Sequence, residues 1–107
     1  MQLWGLRTCD TTRKALAALE GTGRDVGFTD VRESGIDADL AAELVARFGE
    51  RTINRASTTW RNLDAEARDR PPAELLMQHP LLMKRPVISD GDDWTQGWNA
   101  DAQARWL

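Results

Sequence analysis

The sequence predicts an α/β protein with a mixed four-stranded sheet. Residues 2–32 have the pattern of a strand, a helix and a second strand, and residues 87–106 that of a strand, a tight turn, a strand and a helix. The first pattern predicts two parallel strands joined by a right-handed crossover, and the second predicts an antiparallel hairpin. A chain of 107 residues can bury one core, so we expect a single domain over residues 1–107.

The N-terminal elements follow from apolar spacing. Residues 2–5 are an apolar-rich run of strand length, and apolar residues recur at helical spacing over about 10–20. Gly21 and Gly23 are available to end that helix in the left-handed conformation. Apolar and polar residues then alternate over about 25–32, which predicts the second strand.

The middle of the chain, about 34–80, is predicted to be helical. A turn at 33–35 leads to a helix over about 37–48, whose apolar residues recur at helical spacing. Two short helices are expected at 64–69 and 72–78, since Pro72 suits a first helical turn.

Two features of this middle region have a plain structural interpretation. The stretch 50–63 has no clear period and is rich in polar residues, so a solvated loop is favoured there over a binding segment. His79 is the only histidine and has no cysteine near it, which favours a structural role at a helix end over metal binding. We therefore expect no metal site.

The C-terminal elements complete the sheet. Val87–Ser89 and Trp94–Gln96 predict two strands, and Asp90–Asp93 supplies a hairpin turn containing a glycine. Residues 100–106 predict a closing helix that turns Trp106 inward.

Composition and charge exclude several functional classes. The net charge of −3 argues against electrostatic binding to nucleic acid or to a membrane surface. No apolar run approaches the roughly 20 residues of a membrane span, and no secretion signal is evident. A single cysteine excludes an internal disulfide and fits a reducing cytoplasm, which is the expected location.

Cys9 is the candidate nucleophile. It lies where the first strand gives way to the first helix, and a helix start favours a thiolate over a thiol. Arg13 is about one helical turn further on and could return to add a positive charge. A lone cysteine is often a small buried hydrophobic residue, but its neighbours are unlike core lining: Thr8, Asp10, Thr11 and Thr12.

Three segments, 4–15, 54–61 and 79–87, closely resemble the ArsC/Spx family, and most of all its YffB-type branch of reductase-like proteins. The resemblance covers nearly the whole chain. It implies a thioredoxin-like fold in which a helical insertion, about 34–80, separates the two halves of the sheet.

The resemblance also implies a chemistry. In the glutaredoxin-coupled arsenate reductases of this family, a cysteine at the position of Cys9 attacks an oxyanion held by arginines, and glutathione resolves the adduct. Arg85 matches one such arginine, and Pro86 matches a proline that is usually cis beside the reactive sulfur. The chain departs from the pattern where Ala56 replaces an arginine of the middle motif and where no third arginine follows the hairpin. Asp10 also places a negative charge beside the site.

The leading hypothesis is therefore a glutathione-dependent thiol reductase, acting on a disulfide or an oxyanion in a small molecule or a protein. Cys9 is its expected nucleophile, and Arg13 and Arg85 are its expected catalytic arginines. Glutathione is the co-substrate, with glutaredoxin as a second reductant; we expect no tightly bound cofactor and a monomer. The expected substrate- or glutathione-binding residues are Thr8, Thr11, Thr12, Asn54, Arg55, Thr59, Trp60 and Pro86.

Two alternatives stay open at this point. One is a true glutaredoxin-coupled arsenate reductase. The other is a non-catalytic protein that binds a partner, as the Spx-type regulators bind RNA polymerase. Those regulators usually carry a Cys-x-x-Cys switch, whereas the second cysteine position here is Thr12.

Overall fold

The sheet is built from four short strands, in a computed structural model that describes all residues 1–107. They are β1 (Gln2–Gly5), β2 (Gly27–Asp30), β3 (Val87–Asp90) and β4 (Asp93–Gln96). Their order in the sheet is β2-β1-β3-β4. β1 is parallel to β2 and antiparallel to β3, and β3 and β4 form an antiparallel hairpin. The predicted mixed sheet of four strands is confirmed.

Seven helices accompany the sheet, and three of them are single turns of four residues. They are α1 (Asp10–Gly21), α2 (Val31–Ser34), α3 (Ala38–Phe48), α4 (Thr58–Arg61), α5 (Ala65–Arg68), α6 (Pro72–Gln78) and α7 (Ala100–Trp106). None of them has the length and apolar character that crossing a bilayer requires.

The chain divides into two compact units. The sheet unit contains residues 1–31 and 85–107, and the helical unit contains residues 32–84. The second unit corresponds to the helical insertion expected at about 34–80; the prediction of a single domain over 1–107 stays a prediction.

The sheet unit has its core on one face of the sheet. Leu3 of β1 lies opposite Ile88 of β3, and both are fully buried. Because side chains alternate across a strand, these two opposed residues point to the same face of the sheet. Helices α1 and α7 pack their apolar sides on that face, and they supply the remaining core residues, Ala15, Leu19 and Trp106. The indole N–H of Trp106 donates to the Thr95 hydroxyl over 2.8 Å, which satisfies its polar atom.

The second strand is shorter than predicted. The sequence predicts strand over about 25–32 and a turn at 33–35, but β2 is Gly27–Asp30, and the helical turn α2 replaces the end of the predicted strand and the start of the predicted turn. The physical reason is the length of β1. Its four residues pair with Gly27–Asp30, and beyond Gly5 there is no parallel neighbour to extend the ladder.

The helical unit is organised by α3, which packs against α6. The side chain of Asp37 accepts from the Leu40 N–H over 2.8 Å and caps the start of α3, as predicted, and the chain leaves α3 at Gly49 with φ +59°. His79 follows α6, and its N–H donates to the Leu75 carbonyl over 2.8 Å. This is the helix-end position that the sequence predicts for His79.

The predicted loop at 50–63 contains helical turns. A 3-10 turn spans Gly49–Thr52, and α4 follows, capped by the Ser57 hydroxyl, which accepts from the Trp60 N–H over 3.1 Å. The loop prediction was therefore wrong for α4. A single turn is too short to show helical periodicity, and here a local cap rather than an apolar face starts the helix.

Candidate active site at Cys9

Cys9 lies between the end of β1 and the start of α1, as predicted. It is the residue that precedes the helix, with extended backbone angles of φ −87° and ψ 119°. Its N–H donates to the Leu6 carbonyl over 3.0 Å, and its carbonyl accepts from the Arg13 N–H over 3.0 Å. Hydrogen bonds therefore hold the backbone on both sides of Cys9.

Asp30 also holds this loop. Its carboxylate accepts from the Arg7 N–H over 2.9 Å, and the residue is 8% exposed. Because Asp30 is opposite Gly5 in the register of the parallel strands, its side chain reaches the loop that follows β1. We did not single out Asp30 from the sequence. The available signal was the predicted βαβ unit, because parallel strands end at the same edge of a sheet.

The sulfur of Cys9 is half-buried and faces three groups that favour negative charge. It makes no well-formed cap hydrogen bond to α1. The hydroxyl and N–H of Thr12 and the guanidinium of Arg85 nevertheless lie within reach of it. Burial by itself raises the pKa of Cys9, but these donors and the charge of Arg85 outweigh burial, so the pKa lies below its ordinary value of 9.0.

Thr12, in the first turn of α1, is the most buried of the three predicted binding threonines near Cys9. It is 1% exposed, and its hydroxyl oxygen accepts from the Leu6 N–H over 3.4 Å. Thr8 and Thr11, in contrast, are exposed. Thr12 thus contacts the cysteine, and the two exposed threonines are the ones available to a bound molecule.

Arg13 is not among the groups that lower the pKa of Cys9. Its guanidinium donates to the carboxylate of Asp10, and its side chain is 62% exposed. These residues are three apart on one helix face, where opposite charges attract. The structure therefore places the Arg13 charge on Asp10, and a direct catalytic role for Arg13 stays a prediction.

Arg85 and Pro86 enter the site from just before β3. Arg85 is half-buried, Pro86 is fully buried, and the peptide bond between them is cis. The Pro86 carbonyl accepts from the Gly97 N–H over 2.8 Å, which joins this turn to the end of β4. Arg85, far along the chain from Cys9, is thus brought to the sulfur.

The other four predicted binding residues belong to the helical unit. The side chain of Asn54 accepts from the Ala56 N–H over 3.1 Å, and Thr59 is half-buried. Arg55 lies over the Trp60 ring, with its Cζ 5.4 Å from the ring centroid. Arg55 and Trp60 also line a cavity of about 340 Å³ within this unit. Their role in binding glutathione or substrate stays a prediction.

No group of three or more His, Cys, Asp and Glu side chains is arranged to hold a metal ion.

Comparison with known proteins identifies the family. A model of the ArsC family matches residues 4–105. The chain belongs to the ArsC family. It is also 33% identical, over 102 residues, to an uncharacterised protein of Haemophilus influenzae, and the match covers 91% of this chain and 90% of that one.

Solved structures support the same assignment. A protein named YFFB has a TM-score of 0.90 and 33% identity to this chain, covering 99% of this chain and 97% of its own. An arsenate reductase (ArsC) related protein from Brucella melitensis has a TM-score of 0.74 and 29% identity, covering 98% and 92%. The fold of this ArsC-family chain is thioredoxin-like, as the resemblance implies. Family membership supports a thiol-based oxidoreductase.

Proposed function

We propose that this ArsC-family protein is a glutathione-dependent thiol reductase and that Cys9 is its single nucleophile. The observation that carries the proposal is the set of groups around the sulfur. Two donors from Thr12 and the guanidinium of Arg85 favour the thiolate, which is the form that attacks. A buried structural cysteine has a raised pKa, whereas the pKa of Cys9 is lowered.

The proposed reaction is thiol–disulfide exchange. The Cys9 thiolate attacks one sulfur of a disulfide, so that a mixed disulfide forms, the original S–S bond breaks, and the departing thiolate takes a proton from water. The thiolate of glutathione then attacks the substrate sulfur of the mixed disulfide, so that its bond to Cys9 breaks, the Cys9 thiolate is restored, and glutathione stays joined to that half of the substrate. A second glutathione, or a glutaredoxin, reduces that product. Since the chain has one cysteine, an external thiol must carry out the resolving step.

The proposed binding groups suit an anionic thiol. Glutathione has two carboxylates, and a guanidinium can hold a carboxylate with two parallel hydrogen bonds. Arg85 lies beside the sulfur and supplies that guanidinium, while the exposed hydroxyls of Thr8 and Thr11 add donors at the start of α1. The Asp10 carboxylate at the same helix start is paired with Arg13, so its negative charge is partly offset.

Arsenate reduction is the second candidate. Arg85 beside the sulfur favours it, because one of the family's oxyanion arginines is matched there. Tight binding of an oxyanion calls for several converging donors, and Arg85 is the one cation among the groups that lower the Cys9 pKa. We therefore rank disulfide reduction first.

The test compares Cys9→Ser with the unmodified protein in a glutathione-coupled disulfide-reduction assay. We expect Cys9→Ser to lose the activity completely, because a serine hydroxyl does not form a disulfide. Ala17→Ser is the matched control, since it adds a hydroxyl on the exposed side of the same helix and is expected to retain full activity. Full activity of Cys9→Ser would contradict the proposal.

A second arm of the test supplies arsenate with glutathione and glutaredoxin. Arsenate turnover that disappears in Arg85→Ala would move the second candidate to first place. A different result is an unmodified protein that is inactive in both assays while a partner protein binds it and the Cys9→Ser variant equally well. That result would support the non-catalytic, Spx-like alternative.

A further inference from the structure

Gly5, the last residue of β1, lies directly against Thr12 in the first turn of α1. Gly5 is buried. A Cβ added to it would lie 2.5 Å from both Cγ2 and Oγ1 of Thr12 and 3.1 Å from its Cβ. Contacts of 2.5 Å are well inside van der Waals distance, so any side chain at position 5 must displace Thr12 or the backbone.

Thr12 is poorly able to accommodate such a displacement. It is branched at Cβ, so its side chain has a single stiff torsion, and it lies in the first turn of α1 with 1% exposure. Its hydroxyl oxygen accepts from the Leu6 N–H over 3.4 Å, at the long end for a hydrogen bond. With its acceptor side occupied by Leu6, the hydroxyl can direct its proton towards the Cys9 sulfur.

The contact therefore links a strand residue to the reactive sulfur through Thr12. We propose that Gly5 is a positioning residue: because it has no Cβ, Thr12 lies against β1 with its hydroxyl facing Cys9. From that position the Thr12 hydroxyl donates towards the Cys9 sulfur and stabilises the thiolate. This inference rests on the proposed function, since it concerns how the proposed nucleophile is activated.

The pH dependence of Cys9 alkylation by iodoacetamide tests the inference directly. The chain has one cysteine, so the rate reports a single thiol. We expect Gly5→Ala to raise the apparent pKa by about one unit, which means about tenfold less thiolate well below the pKa. Thr12→Ala is expected to shift the profile in the same direction, whereas Thr12→Ser, which keeps the hydroxyl, is expected to leave it nearly unchanged.

A double-mutant cycle separates positioning from a general effect on the fold. If Gly5 acts through Thr12, then Gly5→Ala adds nothing in a Thr12→Ala background, and the double variant has the profile of Thr12→Ala alone. Gly27→Ala is the matched control. It also places a methyl group in a strand glycine, but its added Cβ meets the Gln2 side-chain amide, the flexible tip of another residue, at 2.5 Å. We expect it to leave the profile unchanged.

Three outcomes would overturn the inference: a Gly5→Ala profile identical to that of the unmodified protein, additive shifts in the double variant, or an equal shift in Gly27→Ala. If Gly5→Ala fails to fold, the double variant decides. A folded double variant supports a specific clash with the Thr12 side chain, and an unfolded one shows that the space at Gly5 serves the fold. Because this experiment measures the titration of the thiol, its result is independent of the reductase assay of Cys9→Ser. Failure of the inference can therefore be told apart from failure of the proposed function.

Discussion

Replacing Arg85 with methionine tests the central electrostatic feature of the site. The substitution keeps a long flexible stem and removes the guanidinium that faces the Cys9 sulfur. Hydrogen bonds to charged groups contribute about 1.5–3 kcal/mol. Because Cys9 is only half-buried, solvent screening places the expected loss near the lower end of that range.

The measurable consequence is a shift of the thiol titration. A loss of about 1.5 kcal/mol raises the pKa of Cys9 by about one unit. At a pH well below the pKa, the thiolate fraction and the alkylation rate at low reagent concentration then fall about tenfold. The assay is the pH profile of alkylation, in which a pure pKa change moves the midpoint and leaves the plateau at high pH unaltered.

Arg13→Met provides the comparison. It removes the same charge one helical turn from Cys9, but from a side chain that pairs with Asp10 and is 62% exposed. We expect a smaller shift than for Arg85→Met. A shift of equal or greater size would refute the inference that Arg85 is the main cation stabilising the Cys9 thiolate. Arg13 would then have the role that the sequence predicts for it.

Two further predictions concern folding stability. The pKa of Cys9 is lower in the folded protein than its ordinary value of 9.0, so between these two values the unfolded chain binds more protons. The free energy of unfolding that Cys9 contributes therefore grows as the pH rises towards 9.0. It is lost as the pH falls through the folded pKa. Urea unfolding across that range is expected to show the rise in the unmodified protein relative to Cys9→Ser, and parallel curves would contradict it. Separately, Asp30→Asn weakens the bond that the buried carboxylate accepts from the Arg7 N–H, and we expect it to lower the free energy of unfolding by about 1–3 kcal/mol. An unchanged urea midpoint would show that Asp30 does not anchor the loop.

The elements that the sequence predicts well are those with a complete local signal. α3 combines helical apolar spacing with a capping Asp37, and its observed start and end agree closely with prediction. The hairpin of β3 and β4 is likewise encoded in two runs of strand length and a turn containing Gly91. The helical turn α4 escaped prediction because one turn of helix has no period to detect.

Position along the chain also predicts where Cys9 lies, but it does not predict which cation faces it. The sequence places Arg13 one turn from Cys9, yet Arg13 pairs with Asp10, a carboxylate closer in sequence and on the same helix face. Local spacing leaves both partners available to Arg13, and only the folded geometry selects between them.

By itself, therefore, the sequence determines the order of the four strands and the longer helices, the family, and a cysteine at the start of a helix. The tertiary structure decides what surrounds the sulfur, because those contacts join distant segments. Arg85 reaches Cys9 through the antiparallel pairing of β1 with β3, and Thr12 faces the sulfur while packed against Gly5. Hydrophobic periodicity and caps act within a few residues, whereas the pairing of strands and the close approach of a helix to a strand are properties of the assembled fold.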